Sequence, residues 1–359
     1  MNSPVRFGMV GGGRRARAYL RVAKELPDRF EISGMVVRDE EKGAAIERLW
    51  GVRTYRTISE LLQSEPCSFV VVSVPRAAAP SILMELAERG MPALCETPPA
   101  GSLESMTELY AKVGSDARIQ VAEQYNFRPF HAARLEVARS GLLGTVSQAH
   151  VSVAHDYHGI SMIRAFLDVS YEDAEIQGYS YVSPLVQGPS GEGPPLEYKV
   201  GQSKQVMGIF RFGDKLGLYD FTSDQYRSWI RGPRLLVRGE RGEINNMEVR
   251  YLLDYATPIE SELKRTDAGH NANIEGFYLK AITLGDKILY RNTFIPARFS
   301  DDALAVAACL ERMGEYADGG SSFYSLGEGL QDQYLALMLK RAVETGEKLR
   351  TVKQPWAGV

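Results

Sequence analysis

Through the first third of the chain, short apolar runs alternate with segments of helical period. Val5–Val10 reads as a strand, and residues 14–25 as the helix after it, with Ala16, Tyr19, Leu20 and Ala23 sharing one face. Residues 30–37, 69–74, 92–95 and 119–122 read as further strands. Residues 40–49, 57–63, 79–90 and 103–114 supply helices between them. This β-α rhythm predicts a parallel, doubly wound sheet over residues 1–124.

After about residue 124 the texture changes. A helix over 131–140, ending at Gly141, leads into runs with period-two alternation at 146–153, 205–212, 215–222, 234–238, 243–246 and 249–253. Gly213-Asp214 and Arg241-Gly242 punctuate these runs as hairpin turns. Residues 187–195 are rich in glycine and proline and read as a surface loop. Helices over 301–316 and Leu326–Thr345 close the chain. The expectation for 125–359 is an α+β domain, an open and mostly antiparallel sheet with helices on one face and the other available to a ligand. No internal repeat or long linker separates the two parts, so they are expected to pack closely.

Gly11-Gly12-Gly13-Arg14-Arg15-Ala16 follows the first strand and opens the first helix, matching G-x-G-x-x-[GA]. Gly11 permits the tight turn, Gly13 lets backbone approach a pyrophosphate, and Ala16 allows close helix–strand contact. The helix N-terminus then faces the phosphate charge. The context predicts a Rossmann domain binding a nicotinamide dinucleotide, with Arg14 and Arg15 beside the glycines. In one register Val37 occupies the usual ribose-binding acidic position. Arg38 then follows it, where it pairs with a 2′-phosphate and selects NADP. If the strand runs two residues further, Asp39 grips the ribose and the cofactor is NAD. Both cofactors stay open.

The chain has 359 residues, enough for two domains, with 44% hydrophobic and 24% charged residues. A net charge of −3 gives no basic surface for nucleic acid or an anionic membrane. The cysteines Cys67, Cys95 and Cys309 form neither a disulfide framework nor a zinc pattern. No apolar run is long enough to span a bilayer, and the opening residues do not read as a signal peptide. These features lead us to expect a cytoplasmic protein without a metal site.

Gly11–Ala16, Val72-Ser73-Val74-Pro75, Cys95-Glu96-Thr97-Pro98-Pro99-Ala100 and Asn126-Phe127-Arg128-Pro129 together resemble the Gfo/Idh/MocA oxidoreductases, relatives of glucose–fructose oxidoreductase and inositol dehydrogenase. Gly141-Leu142-Leu143-Gly144, residues 236–242 and the closing residues 346–356 fit the same pattern. The resemblance implies oxidation or reduction of a sugar, cyclitol or similar hydroxy compound, and a homodimer or homotetramer. It places Pro75, Glu96, Thr97 and Tyr125 at the cofactor, beside Gly11, Gly13, Arg14, Arg15 and Arg38, and Arg128 at the interdomain cleft. The family motif Glu-Lys-Pro reads Glu96-Thr97-Pro98 here. His158 holds the family histidine position, but Ala154 stands where an aspartate precedes it by four, and Pro75-Arg76-Ala77-Ala78-Ala79 lacks another histidine.

Alcohol oxidation needs a group to take the hydroxyl proton. His158, at a helix start where the dipole keeps imidazole neutral, is the candidate base. Around it His155 is a second base, Asp156 an orienting group and Tyr157 a proton donor; the plainer alternative is a set of hydrogen-bonded loop residues. Arg164 need not share the His158 face. Asp224, Arg227 and Trp229 suit a polyol site or an ordinary strand end. Three functions remain open: a working NAD(P)-dependent oxidoreductase; a redox-neutral enzyme that uses a tightly bound cofactor for elimination, epimerisation or glycoside cleavage; and a non-catalytic NAD(P)- or sugar-binding protein.

Overall fold

The computed structural model describes residues 3–269 and 275–358. The chain begins with β1 (Val5–Val10), α1 (Ala16–Glu25), β2 (Phe30–Val36), α2 (Glu40–Trp50) and β3 (Thr54–Tyr55). It continues with α3 (Ile58–Ser64), β4 (Phe69–Val72), α4 (Ala79–Glu88), β5 (Ala93–Cys95), α5 (Leu103–Val113) and β6 (Ile119–Val121). The six strands form one parallel sheet in the order β3-β2-β1-β4-β5-β6. All four residues of β4 are buried, as expected of a central strand covered by helices on both faces. Local chemistry sets the helix starts. Asp39 caps α2 through the Lys42 N–H, and Thr57 with Glu60 forms a reciprocal capping box on α3.

A 3-10 turn over Gln124–Phe127 carries the chain into α6 (Pro129–Arg139), β7 (Val146–Ser152) and α7 (Asp156–Leu167). Next come β8 (Glu175–Val186), β9 (Val200–Phe212), β10 (Lys215–Phe221), β11 (Arg234–Gly239), β12 (Gly242–Asn245) and β13 (Glu248–Leu252). The last elements are β14 (Pro258–Asp267), β15 (Leu279–Leu284), β16 (Lys287–Arg291), α8 (Asp301–Ala317), α9 (Leu326–Thr345) and β17 (Leu349–Arg350). Eleven strands form the second sheet, ordered β16-β15-β14-β13-β12-β11-β7-β10-β9-β8-β17. Every neighbouring pair is antiparallel except β7 with β10. Helix α7 seats closely on this sheet because residue 159 is glycine. A Cβ there would lie 2.5 Å from the Tyr219 ring on β10.

The alternating runs read from sequence fall on β7 and β9 to β13, ending within one residue of those strands. Strands β8 and β14 to β17 were not among them, and they extend the sheet at both ends. The reason is visible in their burial: β14 (PIESELKRTD) buries only Leu263, so its apolar alternation is lost among charged residues.

The sheets change at residue 124, yet the C-terminal chain returns to the first one. The Val121 N–H donates to the Tyr324 carbonyl at 2.8 Å, and Trp356 is buried with Leu326 and Leu330 among the side chains of α4 and α5. Helix α8 packs on α1, and its residue Asp302 accepts from Arg15 at 3.0 Å and from Arg128 at 2.8 Å. A buried ion pair, Arg164–Asp332 at 2.5 Å, joins α7 to α9. Among the described residues no helix is long and apolar enough to cross a membrane.

Candidate active site

The strand order reverses between β1 and β4, and a crevice opens beyond their carboxyl ends. Its cavity of about 1090 Å³ is lined by Gly11 to Gly13, Arg38, Ser73 to Pro75, Glu96 and Thr97 among others. Gly11 has φ +108°, and a Cβ on it would stand 2.1 Å from the Ser73 carbonyl oxygen. The turn therefore brings β1 and β4 close enough to exclude any side chain. Gly13 differs, since a Cβ there meets nothing within 4 Å and would project into open space. Helix α1 begins just beyond, with no acidic residue in its first turn. The cradle, its volume and the helix start fit a dinucleotide pyrophosphate.

At the far edge of this cavity β2 ends at Val36. Val37 is buried, and Arg38 is exposed at the cavity wall. The Asp39 carboxylate accepts from the Lys42 N–H at 2.8 Å and so caps α2. Lys42 and Arg56 line the same edge, two cations that the sequence reading missed. Arg56 is held there by donating to the Val37 carbonyl at 2.9 Å.

Thr97 lies where this cavity meets the second sheet. Its Oγ1 is 3.4 Å from Nε2 of His158, in the first turn of α7. Nδ1 of His158 is 2.7 Å from Oε2 of Glu123, a carboxylate at the end of β6 with no exposed surface. Because an ionised carboxylate only accepts, Nδ1 carries the hydrogen and Nε2 is left as the basic atom toward Thr97. The other Glu123 oxygen accepts from the Tyr125 N–H at 3.1 Å, which fixes the carboxylate. The Tyr125 ring lies 4.5 Å from the imidazole, and the Arg128 guanidinium covers that ring at 3.9 Å. His155 stands edge-on to His158 at 5.1 Å. Its Nδ1 is 2.5 Å from the Tyr226 hydroxyl, which also accepts from the His155 N–H at 3.0 Å. Burial, then the neighbouring His158, pushes the His155 pKa down, so this ring favours its neutral form.

The structure sorts the residues expected from sequence. His155, His158, Thr97 and Tyr125 meet at one point, and Pro75 and Arg38 line the dinucleotide cavity. Arg15 and Glu96 also border that cavity, but they bond to each other at 2.7 Å, and Glu96 accepts from Tyr19 at 2.6 Å. These two side chains therefore tie α1 to the strand ends, and Arg15 continues to Asp302. The Arg14 side chain is exposed. Tyr157 is buried, its hydroxyl turned toward Gly329 in α9 and away from the cleft, because α7 directs successive residues to different sides. The Asp156 backbone N–H donates to the Tyr219 hydroxyl at 2.9 Å, while its side chain is exposed. Arg164 is bound to Asp332. Asp224 accepts from Ser203 at 2.5 Å and from Thr222 at 2.7 Å, and Arg227 and Trp229 are exposed. The residue of that stretch that reaches the site is Tyr226. Glu123 was also missed; its only sequence signal is a carboxylate at the end of the last parallel strand. Among the described residues no group of three or more histidines, cysteines or acids is placed to hold a metal ion.

Comparison with known proteins agrees with this geometry. Residues 5–125 match the family model described as the Gfo/Idh/MocA oxidoreductase family, NAD-binding Rossmann fold. The rhizopine catabolism protein MocA of Rhizobium meliloti is 26% identical over 144 residues, 39% of this chain and 44% of that protein. Inositol 2-dehydrogenase of Corynebacterium glutamicum (strain R) is 26% identical over 148 residues, covering 40% of this chain and 44% of the relative. The chain thus aligns with less than half the length of these curated relatives. In three dimensions the likeness is longer. A levoglucosan dehydrogenase solved with NADH and L-sorbose superposes on 98% of this chain and 100% of its own with a TM-score of 0.68, at 15% identity. Residues 5–125 are thus similar to the NAD-binding Rossmann domain of the Gfo/Idh/MocA oxidoreductases, and the whole chain shares its fold with a solved sugar dehydrogenase.

Proposed function

We propose that this protein is an NAD(P)-dependent dehydrogenase that oxidises a secondary hydroxyl of a sugar, cyclitol or similar polyol, with His158 as the base and Glu123 as its positioning residue. One observation carries the reading: an imidazole held by a fully buried carboxylate at 2.7 Å presents its free nitrogen toward Thr97, a wall of the dinucleotide cavity. Gly11 to Gly13 and the start of α1 would hold the pyrophosphate, and Thr97 and Pro75 would border the nicotinamide. The bound dinucleotide supplies the hydride acceptor. His158 Nε2 takes the hydroxyl proton as the carbon gives up its hydride, and the Glu123 carboxylate offsets the imidazolium charge that results. Tyr125 and Arg128 close one side of the histidine.

Thr97 brings no charge to the forming alkoxide. Burial first, then His158, and last the charge of Arg76 in the loop after β4 lower the His155 pKa, and we assign Arg76 the polarising role. The levoglucosan dehydrogenase was solved with L-sorbose bound, and the curated relatives include an inositol 2-dehydrogenase; both favour a polyol substrate. The test is cofactor reduction followed by absorbance across a panel of cyclitols, sugars and sugar acids, for wild type, His158→Ala and Arg76→Ala. Net reduction that is lost in His158→Ala is expected. Turnover that survives His158→Ala, or turnover without net reduction, would overturn the reading.

A further inference from the structure

A second cavity, of about 310 Å³, lies at the N-terminus of α6, between that helix and the ends of β7 and β11. Arg128, His131 and Arg134 line it, with apolar walls from Phe130, Val153, Leu235 and Met247. Arg134 is only 6% exposed. Its Nε donates to the Asn246 carbonyl at 2.8 Å, Nη1 to His131 Nδ1 at 3.2 Å and Nη2 to the Met247 sulfur at 3.4 Å. All three partners are neutral, and a guanidinium has five N–H groups, so two remain unused. Burial with no opposing charge pushes the Arg134 pKa down to about 10. A buried cation left this way is costly unless something pairs with it.

Among the described residues no carboxylate bonds to the Arg134 guanidinium. Asp301 lines the cavity too, and its carboxylate is held at 2.8 and 3.0 Å by the Arg265 guanidinium, which also donates to Asp267 at 2.9 Å. Arg128 is neutralised by Asp302, yet its Nε is buried with no hydrogen-bond partner. His131 accepts from Arg134 through Nδ1, which leaves Nε2 carrying a hydrogen as a further donor. The cavity therefore offers a guanidinium with no bonded anion, unused N–H donors on three residues and an apolar wall, and its rim reaches the surface at the exposed Pro233.

We propose that this cavity binds a small organic monocarboxylate, the carboxylate against Arg134, Arg128 and His131 and the carbon skeleton against Phe130, Val153, Leu235 and Met247. One carboxylate supplies the anion that the Arg134 guanidinium lacks, whereas a phosphate dianion brings more charge than one guanidinium offsets and gains nothing from the apolar wall. The occupant lies one aromatic ring from the histidine site. The Tyr125 ring is 6.2 Å from His131 on this side and 4.5 Å from His158.

The test is calorimetric titration of the full chain, without dinucleotide, with isobutyrate and benzoate, against phosphate and chloride at constant ionic strength. Saturable one-to-one binding of a carboxylate is expected, at least tenfold tighter than phosphate. Arg134→Gln should weaken it at least tenfold. Val153→Phe, which fills the cavity and keeps the arginine, should do the same. Absence of saturable carboxylate binding to wild type, equal binding of phosphate, or full affinity in Val153→Phe would each overturn the proposal. The wild-type comparison decides even if both variants fail to fold, and it is independent of whether the chain oxidises a polyol.

Discussion

The Glu123 carboxylate meets Nδ1 of His158 at 2.7 Å across the junction of the two sheets, and neither group has more than a small exposed edge. Glu123 comes from the end of β6 and His158 from the first turn of α7, so the pair exists only when both parts of the chain are docked. A carboxylate in this position holds the imidazole in one tautomer, with Nε2 as its basic atom.

That relationship makes Glu123→Gln informative, since it keeps the shape and removes the charge. An amide can present its N–H to Nδ1, which turns the basic nitrogen away from the cleft. Turnover should fall by about 10²–10⁴-fold, the usual contribution of a positioned base. Dinucleotide affinity, followed by fluorescence, should stay near wild type. Unchanged kcat in this variant would remove His158 from the role of base.

The two glycines of the phosphate turn should respond differently. Gly11→Ala puts a Cβ against the Ser73 carbonyl and a non-glycine residue at φ +108°, so it should lower the melting temperature. Gly13→Val meets no protein atom at its Cβ and should leave the melting temperature nearly intact while abolishing dinucleotide binding. Thermal melts and calorimetry on both variants separate the two effects.

Cofactor choice is expected to rest on the cations at the end of β2. Arg38, Lys42 and Arg56 border the cavity there, and the Asp39 carboxylate is engaged by the α2 backbone. A 2′-phosphate held by Arg38 is worth about 1.5–3 kcal/mol. Arg38→Ala should therefore weaken NADP by at least about tenfold and NAD by much less. An unchanged ratio of the two dissociation constants would show that Arg38 does not select the cofactor.

Acid stability should carry the signature of His131. Burial, followed by the charges of Arg134 and Arg128, pushes its pKa well down, so the folded protein keeps the ring neutral. The unfolded chain takes up a proton at about pH 6.5 that the folded one refuses. Stability therefore falls as pH drops below that value, by up to about 1.4 kcal/mol per unit for one such group. Urea midpoints measured from pH 7 to pH 5 should show a shallower decline in His131→Asn. Equal slopes in the two proteins would contradict this assignment.

Local pattern was enough to read five of the first domain's six strands and its helices, because each buried strand is a short apolar run and each helix keeps a one-sided period; the two-residue β3 (Thr54–Tyr55) is too short to show one. It was also enough for the glycine turn, whose requirement is steric and lies within a few residues, whereas His158 was legible only through the family resemblance. What stands opposite each of these groups was decided by tertiary structure. Glu96 and Glu123 both end parallel strands, and sequence gives no reason to prefer one; the fold binds Glu96 to Arg15 and Tyr19 and leaves Glu123, 35 residues before His158, as the partner of the base. Tyr226, 71 residues beyond His155, reaches the site while its neighbours Arg227 and Trp229 face solvent. Tyr157 adjoins His158 in sequence yet points into the protein toward α9. Periodicity states which side chains share a face, but the contacts across that face depend on how distant elements pack, and a catalytic pair is such a contact.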